Sequence, residues 1–303
     1  MSADRLKQIA IALAILVFLW GAVEMLRGGF DEATSDFEIP AVAMEDADTV
    51  VFERTRDTII LARHGDDWTV NGNRASSSGV SDFFGLLEDA SPGQLIAQNA
   101  ETHRRLAIED STARGFRILG KGRTLAHLLL GKRAPGFRDT YFRRPGEDRV
   151  YAVRTTLSTY VDRGLQDWRD RTIARVDADG VASAEIHLGG RSYVLRREGD
   201  KWQLPGGEAT DSAAVARLLD AYESLDATGF RRPEEEVSVD FDRPDRLVAL
   251  RDAAGATLLE LAFDSTTGGF WVRKTGDSTV FRISNFVANR IAPTDSTLRE
   301  RGQ

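Results

Sequence analysis

The sequence predicts an α+β protein in which an N-terminal transmembrane helix leads into two tandem, duplicated, mainly antiparallel α+β units. Three observations predict it. Residues 9–23, IAIALAILVFLWGAV, form an uncharged apolar run. Residues 46–70, DADTVVFERTRDTIILARHGDDWTV, and residues 177–204, DADGVASAEIHLGGRSYVLRREGDKWQL, follow one plan of strand, turn, strand and tryptophan. The later halves of the two units match as well, at an offset of about 130 residues, and two units at such a period make a duplication rather than a solenoid. On this reading residues 1–30 are the anchor, 31–172 the first unit, 173–292 the second and 293–303 a polar C-terminal tail.

The totals set the limits. A chain of 303 residues is long for one compact core and fits two domains. Apolar content of 42% and charged content of 29% are ordinary for a folded, water-exposed body. The absence of cysteine removes disulfides, thiolate metal sites and cysteine nucleophiles together, and suits an oxidising compartment. A net charge of −7 repels phosphate backbones, so no nucleic-acid partner is expected.

At about 1.5 Å per residue the apolar run is slightly short for a hydrocarbon core of about 30 Å. Lys7 and Glu24 extend it by reaching toward the interfaces, and Trp20 suits the interfacial belt. A cleaved signal peptide is the rival, but Trp20 and Arg27 spoil the nearest small-x-small sites. The expectation is a retained single-pass signal-anchor in a bacterial inner membrane. Arg5 and Lys7 stay cytoplasmic, and Asp31, Glu32, Asp36 and Glu38 lead into a periplasmic body.

In each unit a β-branched or aromatic strand precedes a polar Gly-Asp turn, at Gly65-Asp66 and at Gly199-Asp200, and a tryptophan follows. Helices are predicted over 79–90 and 211–225. In the second, Val215, Leu218, Leu219 and Tyr222 share a face, and Asp211 caps the first turn. Residues 142–153, FRRPGEDRVYAV, align with 272–283, VRKTGDSTVFRI, as strand, glycine turn and strand feeding a closing helix.

Two segments carry a family resemblance. LLLGKRAPGFRDTYFRR, residues 128–144, followed by RVYAV resembles the Gly-Lys-x-x-Pro … Tyr-x-Arg … Val-Tyr-x-Val signature of the domain-of-unknown-function 4340 family, and LQDWRDRTI, residues 165–173, is similar to its mid-chain pattern. The resemblance implies an anchored envelope protein, of a kind often encoded beside ABC-type transporter subunits associated with gliding motility. It carries over no activity and no catalytic residue. The second unit departs from the signature, having ELAFDSTTGGF where the first has LLLGKRAPGF, so any role of Lys132 belongs to the first unit alone.

No cofactor or metal motif emerges. LLLGKRAPG lacks the earlier glycine of a phosphate-binding loop, since Ala126 stands there, and Arg133 replaces the hydroxyl. GKGR, residues 120–123, reads as a hairpin turn. His64, His103, His127 and His187 stand at no ligand spacing, no Gly-x-Ser-x-Gly elbow occurs, and the acidic stretch over 233–245 lacks the order of a calcium loop.

Trp168, Arg169, Asp170 and Arg171 suit a lock between the units or a partner contact, the indole burying a large area and the arginines pairing. Trp68 and Trp202 are the candidate aromatic surface. The leading expectation is a non-enzymatic accessory or scaffold subunit of an ABC-transporter-like membrane complex, with exposed hairpin edges as docking strands. The alternatives are a glycan- or ligand-binding module that stacks sugars on Trp68 or Trp202, and a hydrolase whose pocket only the fold can reveal.

Overall fold

The computed structural model describes residues 37–136, 138–232, 235 and 239–300. The apolar run over 9–23 lies outside the described residues. Among the described residues no helix is long and apolar enough to cross a membrane. The body is α+β and its strands pair antiparallel, in two compact units that divide between Arg169 and Asp170, a few residues ahead of the division read from the sequence.

In the first unit the strands are β1 (Thr49–Glu53), β2 (Thr58–His64), β3 (Asp67–Val70), β4 (Asn73–Arg74), β5 (Gln94–Ala97), β6 (Arg114–Gly120), β7 (Arg123–Arg133), β8 (Asp139–Arg143) and β9 (Val150–Arg154). They form one sheet in the order β4-β3-β2-β1-β6-β7-β8-β9-β5. The helices are α1 (Ser77–Glu88), α2 (His103–Leu106), α3 (Leu157–Val161) and α4 (Leu165–Trp168). Period-two alternation turns Val50, Phe52, Ile59 and Leu61 to one face, where α1 packs Val80, Phe83 and Phe84 into the core. Ser76 caps α1, its Oγ accepting the Gly79 amide at 3.2 Å. Lys121 and Gly122 both have positive φ in the β6–β7 loop, so GKGR is a hairpin turn as its glycine predicts.

The second unit opens with β10 (Thr172–Ala174), then β11 (Ser183–Leu188), β12 (Arg191–Glu198), β13 (Lys201–Leu204), β14 (Glu208–Ala209), α5 (Ser212–Glu223), β15 (Leu225–Asp226) and β16 (Gly229–Phe230). It continues with β17 (Arg246–Arg251), β18 (Thr257–Thr266), β19 (Gly269–Lys274), β20 (Phe281–Ser284), α6 (Asn285–Ile291) and α7 (Asp295–Leu298). Its main sheet runs β14-β13-β12-β11-β17-β18-β19-β20-β16, the order of the first unit with every strand replaced by its counterpart, and β10 pairs separately with β15. Asp211 caps α5 through its own Oδ1, which accepts the Ala213 and Ala214 amides at 2.9 and 3.0 Å. Val215, Leu218, Leu219 and Tyr222 are all buried, as their spacing predicts.

The segment over 293–300 is no polar tail. It is the second copy of the element that ends the first unit. In the first unit the Ser76 amide donates to the Trp168 carbonyl at 2.8 Å and Ala75 bridges Arg169. In the second the Asp211 amide donates to the Leu298 carbonyl at 2.9 Å and Thr210 bridges Arg299. Leu298 is fully buried, and the buried Tyr193 and Tyr222 hydroxyls donate to the Pro293 and Ile291 carbonyls. Burial pushes both phenols above their ordinary range, so both remain donors. Arg299 pairs with Asp295 at 2.7 Å and with Glu208 at 3.1 Å, and its hydrogen bond holds the Asp295 carboxyl below the usual range.

The closing elements are therefore structural in both units. Leu298→Ala is expected to destabilise the second unit by about 2–5 kcal/mol, and Trp168→Ala the first by about 3–5 kcal/mol, as for other deletions of fully buried side chains. Denaturant unfolding followed separately in each unit checks this. A free tail predicts no effect at Leu298.

Candidate functional site

The stretch that carries the family signature, residues 128–144, forms β7, the following loop and β8. Its distinctive residues hold a covering segment onto the sheet face opposite α1. That segment spans α2 and runs on to β6. Its Leu106 and Ile108 join Leu129, Tyr141, Val150 and Ala152 in a second, smaller apolar cluster. Gly131 lets the segment approach, because a Cβ there would meet the Leu106 carbonyl oxygen at 2.4 Å. Arg143 ties it down. This guanidinium is 1% exposed, and Nε and Nη2 both donate to the Ile108 carbonyl, at 3.1 and 2.9 Å. Nη1 donates to the Glu147 carbonyl at 2.9 Å, and Nη2 to the Asp110 carboxylate at 2.7 Å. A buried charge of this kind is tolerable only when its donors are engaged, as they are here. Lys132 is exposed beside this clamp and takes no part in it.

At the matching place in the second unit β19 carries Trp271, Val272 and Arg273. Trp271 is buried under Arg282, whose guanidinium lies 5.7 Å from the ring centroid, and Arg273 lies 4.6 Å over the Phe241 ring. A cation on an aromatic ring thus stands where the first unit has a cation on a carbonyl.

Trp168 buries its indole as expected, whereas Trp68 of the candidate aromatic surface is buried as well. Trp68 is 5% exposed and packs against Phe84 of α1 with ring centroids 5.8 Å apart, so it offers no sugar-stacking platform. Trp202 is half-buried against the second core. Trp168 is wholly inside the first unit, stacked on Phe52 at 5.0 Å and edge-on to Phe83 at 6.3 Å, which excludes its indole as an outside partner's contact. Asp170 accepts the Thr172 amide at 2.9 Å, the Arg171 carbonyl accepts the Ala227 amide at 2.8 Å, and Arg169 bridges Ala75. Trp168 shares the buried core of the first unit with Trp68, and Trp202 packs on that of the second.

Sequence reasoning missed the most accessible apolar feature. Phe286, on the first turn of α6, is 74% exposed, more than any other large hydrophobic residue among those described. It stands at a groove of about 610 Å³ between α5 and the α6–α7 pair, whose floor includes Ala214, Leu218 and Leu298 and whose rims carry Arg217 and Arg290. Beside it a second hollow of about 690 Å³ is lined by Phe270, Asp245 and Arg246. There Arg246 covers the Phe270 ring at 4.4 Å and donates to Asn289 at 2.9 Å, and the Ser265 hydrogen bonds depress the Asp245 carboxyl. A lone phenylalanine in a helix of seven residues carries no periodic signal, so only the fold exposes it. Among the described residues no group of three or more histidine or acidic side chains is placed to hold a metal ion.

These features define a class, a tandem antiparallel α+β protein whose distinctive residues build its scaffold. Residues 68–244, more than half of the chain, match the domain of unknown function DUF4340, and the chain belongs to that family. The match crosses the division between the units. Comparison with curated proteins and with solved structures finds no match.

Arg143→Leu leaves the Ile108 carbonyl without its buried donors and is expected to cost about 1–3 kcal/mol. Gly131→Ala forces the Leu106 carbonyl away. Both are expected to raise amide hydrogen exchange over 103–113 while leaving β1 and β2 protected. Unchanged exchange there sinks the clamp.

Proposed function

We propose that the protein is a non-enzymatic, membrane-anchored envelope protein, an accessory or scaffold subunit of an ABC-transporter-like complex of the gliding-motility type. The observation that carries this reading is the uncharged run over 9–23, with basic residues before it and Asp31, Glu32, Asp36 and Glu38 after it. Such flanks hold the N-terminus in the cytoplasm and send the body across the inner membrane. Membership of the family supports the same reading. So does the apolar groove beside the exposed Phe286, a hollow that a partner's side chain can fill. The burial of Trp68 weakens the rival glycan-binding reading.

Affinity purification of the full-length protein from mildly solubilised native membranes tests it. Transporter subunits are expected to come along, and to be lost when residues 6–26 are replaced by a cleavable signal. Recovery of the protein alone contradicts the proposal.

A further inference from the structure

The two units fill the same groove differently. Aligning α1 with α5 by their caps, and α3–α4 with α6–α7 by their bridges to the cap residues, puts each groove residue opposite a counterpart. Arg217 stands opposite Asp82, Leu218 opposite Phe83, Arg290 opposite Tyr160, Pro293 opposite Arg163 and Leu298 opposite Trp168.

In the first unit these counterparts close the groove from within. Tyr160 lies between α1 and α4, with its ring centroid 6.4 Å from Phe83 and 5.9 Å from Trp168. Its hydroxyl donates to Asp82 at 3.4 Å. The Arg163 guanidinium covers it, 3.7 Å from the Tyr160 centroid and 5.2 Å from that of Trp168. In the second unit every one of these groups is smaller or points to solvent. Leucines replace Phe83 and Trp168, a proline replaces the covering arginine, and the exposed Arg290 replaces the tyrosine. What remains is the open groove of about 610 Å³, with Phe286 added at its mouth.

Charge selects the occupant. Arg217 and Arg290 form no salt bridge among the described residues, whereas the neighbouring Arg299 is satisfied by Asp295 and Glu208. Asp220 is the one acid among the described residues that line the groove, so the rim carries an excess positive charge. A groove with a leucine floor, an exposed phenylalanine and two free guanidiniums fits an apolar side chain flanked by carboxylates.

We infer that the groove between α5 and α6–α7 docks an acidic segment of a partner protein, which inserts an aromatic side chain where Tyr160 lies in the first unit and sets its carboxylates on Arg217 and Arg290. This deepens the accessory-subunit reading and rests on it for the existence of a protein partner.

The test uses the full-length chain in native membranes, with Phe286 replaced by a benzophenone-bearing amino acid. Irradiation is expected to cross-link one segment of another protein that holds an aromatic residue among acidic ones. The double variant Arg217→Asp with Arg290→Tyr rebuilds the Tyr160–Asp82 pair at exposed positions and closes the groove. It is expected to cut the cross-link about tenfold or more, the loss usual for a central contact. A cross-link to lipid, to a second copy of the chain, to a basic segment or to nothing overturns the inference, as does an undiminished yield in the double variant. Transporter subunits that still copurify with the double variant leave the accessory-subunit reading standing and remove the groove from it. Their absence with the wild type as well removes that reading, and the cross-linked segment then judges the groove alone.

Discussion

The face of a broad antiparallel sheet that carries the main apolar core must be sealed from water, and among the described residues each unit has one helix of 12 residues for that purpose. The seal is completed by a backbone hydrogen bond between distant segments. The amide of the residue that caps the long helix, Ser76 or Asp211, donates to the carbonyl of the last apolar residue of the unit, Trp168 or Leu298. That bond fixes where the closing helices lie, and so which side chains reach the long helix. A cap residue that also anchors the chain's end couples helix initiation to closure of the core. Leu298 and Trp168 are buried because the bond brings them there.

From one clasp come two surfaces. In the first unit an aromatic stack of Phe52, Phe83 and Trp168, with Tyr160 and Arg163 over it, leaves little for water or a partner to enter. In the second unit aliphatic side chains keep the clasp but not the filling. Duplication makes this division possible, since one copy retains the fold's self-sufficient packing while the other is released to present an apolar floor and basic rim. The family signature belongs to the scaffold, Gly131 and Arg143 pinning a covering segment across the opposite face of the first sheet.

Much of this was legible in the sequence. Alternating strands, the Gly65 and Gly199 turns and the stripe of Val215, Leu218, Leu219 and Tyr222 announced two copies of one α+β plan, because strand alternation and helical spacing are local patterns. The burial of Trp68 was also readable, since two-residue periodicity puts it on the same face as Val70. The last element of the second copy was not. DSTLRE shares only the arginine with LQDWRD at matched positions, and loss of the tryptophan removed the one residue that marked the closure. Nor does a sequence distinguish a strand arginine in solvent from Arg143, which is buried by a segment that arrives from earlier in the chain. The groove is a difference between the two copies in which side chains fill a shared space, and it needed both packings side by side.

Residues 293–299 close the second unit as 163–169 close the first. Amide-resolved hydrogen exchange on the whole chain tests it most directly, at Ser76 and Asp211. Both amides are expected to exchange as slowly as the central strands of their own units, because each is held by a carbonyl that leaves only when the core opens. An Asp211 amide that exchanges at the rate of an exposed loop, beside a protected Ser76 amide, contradicts it.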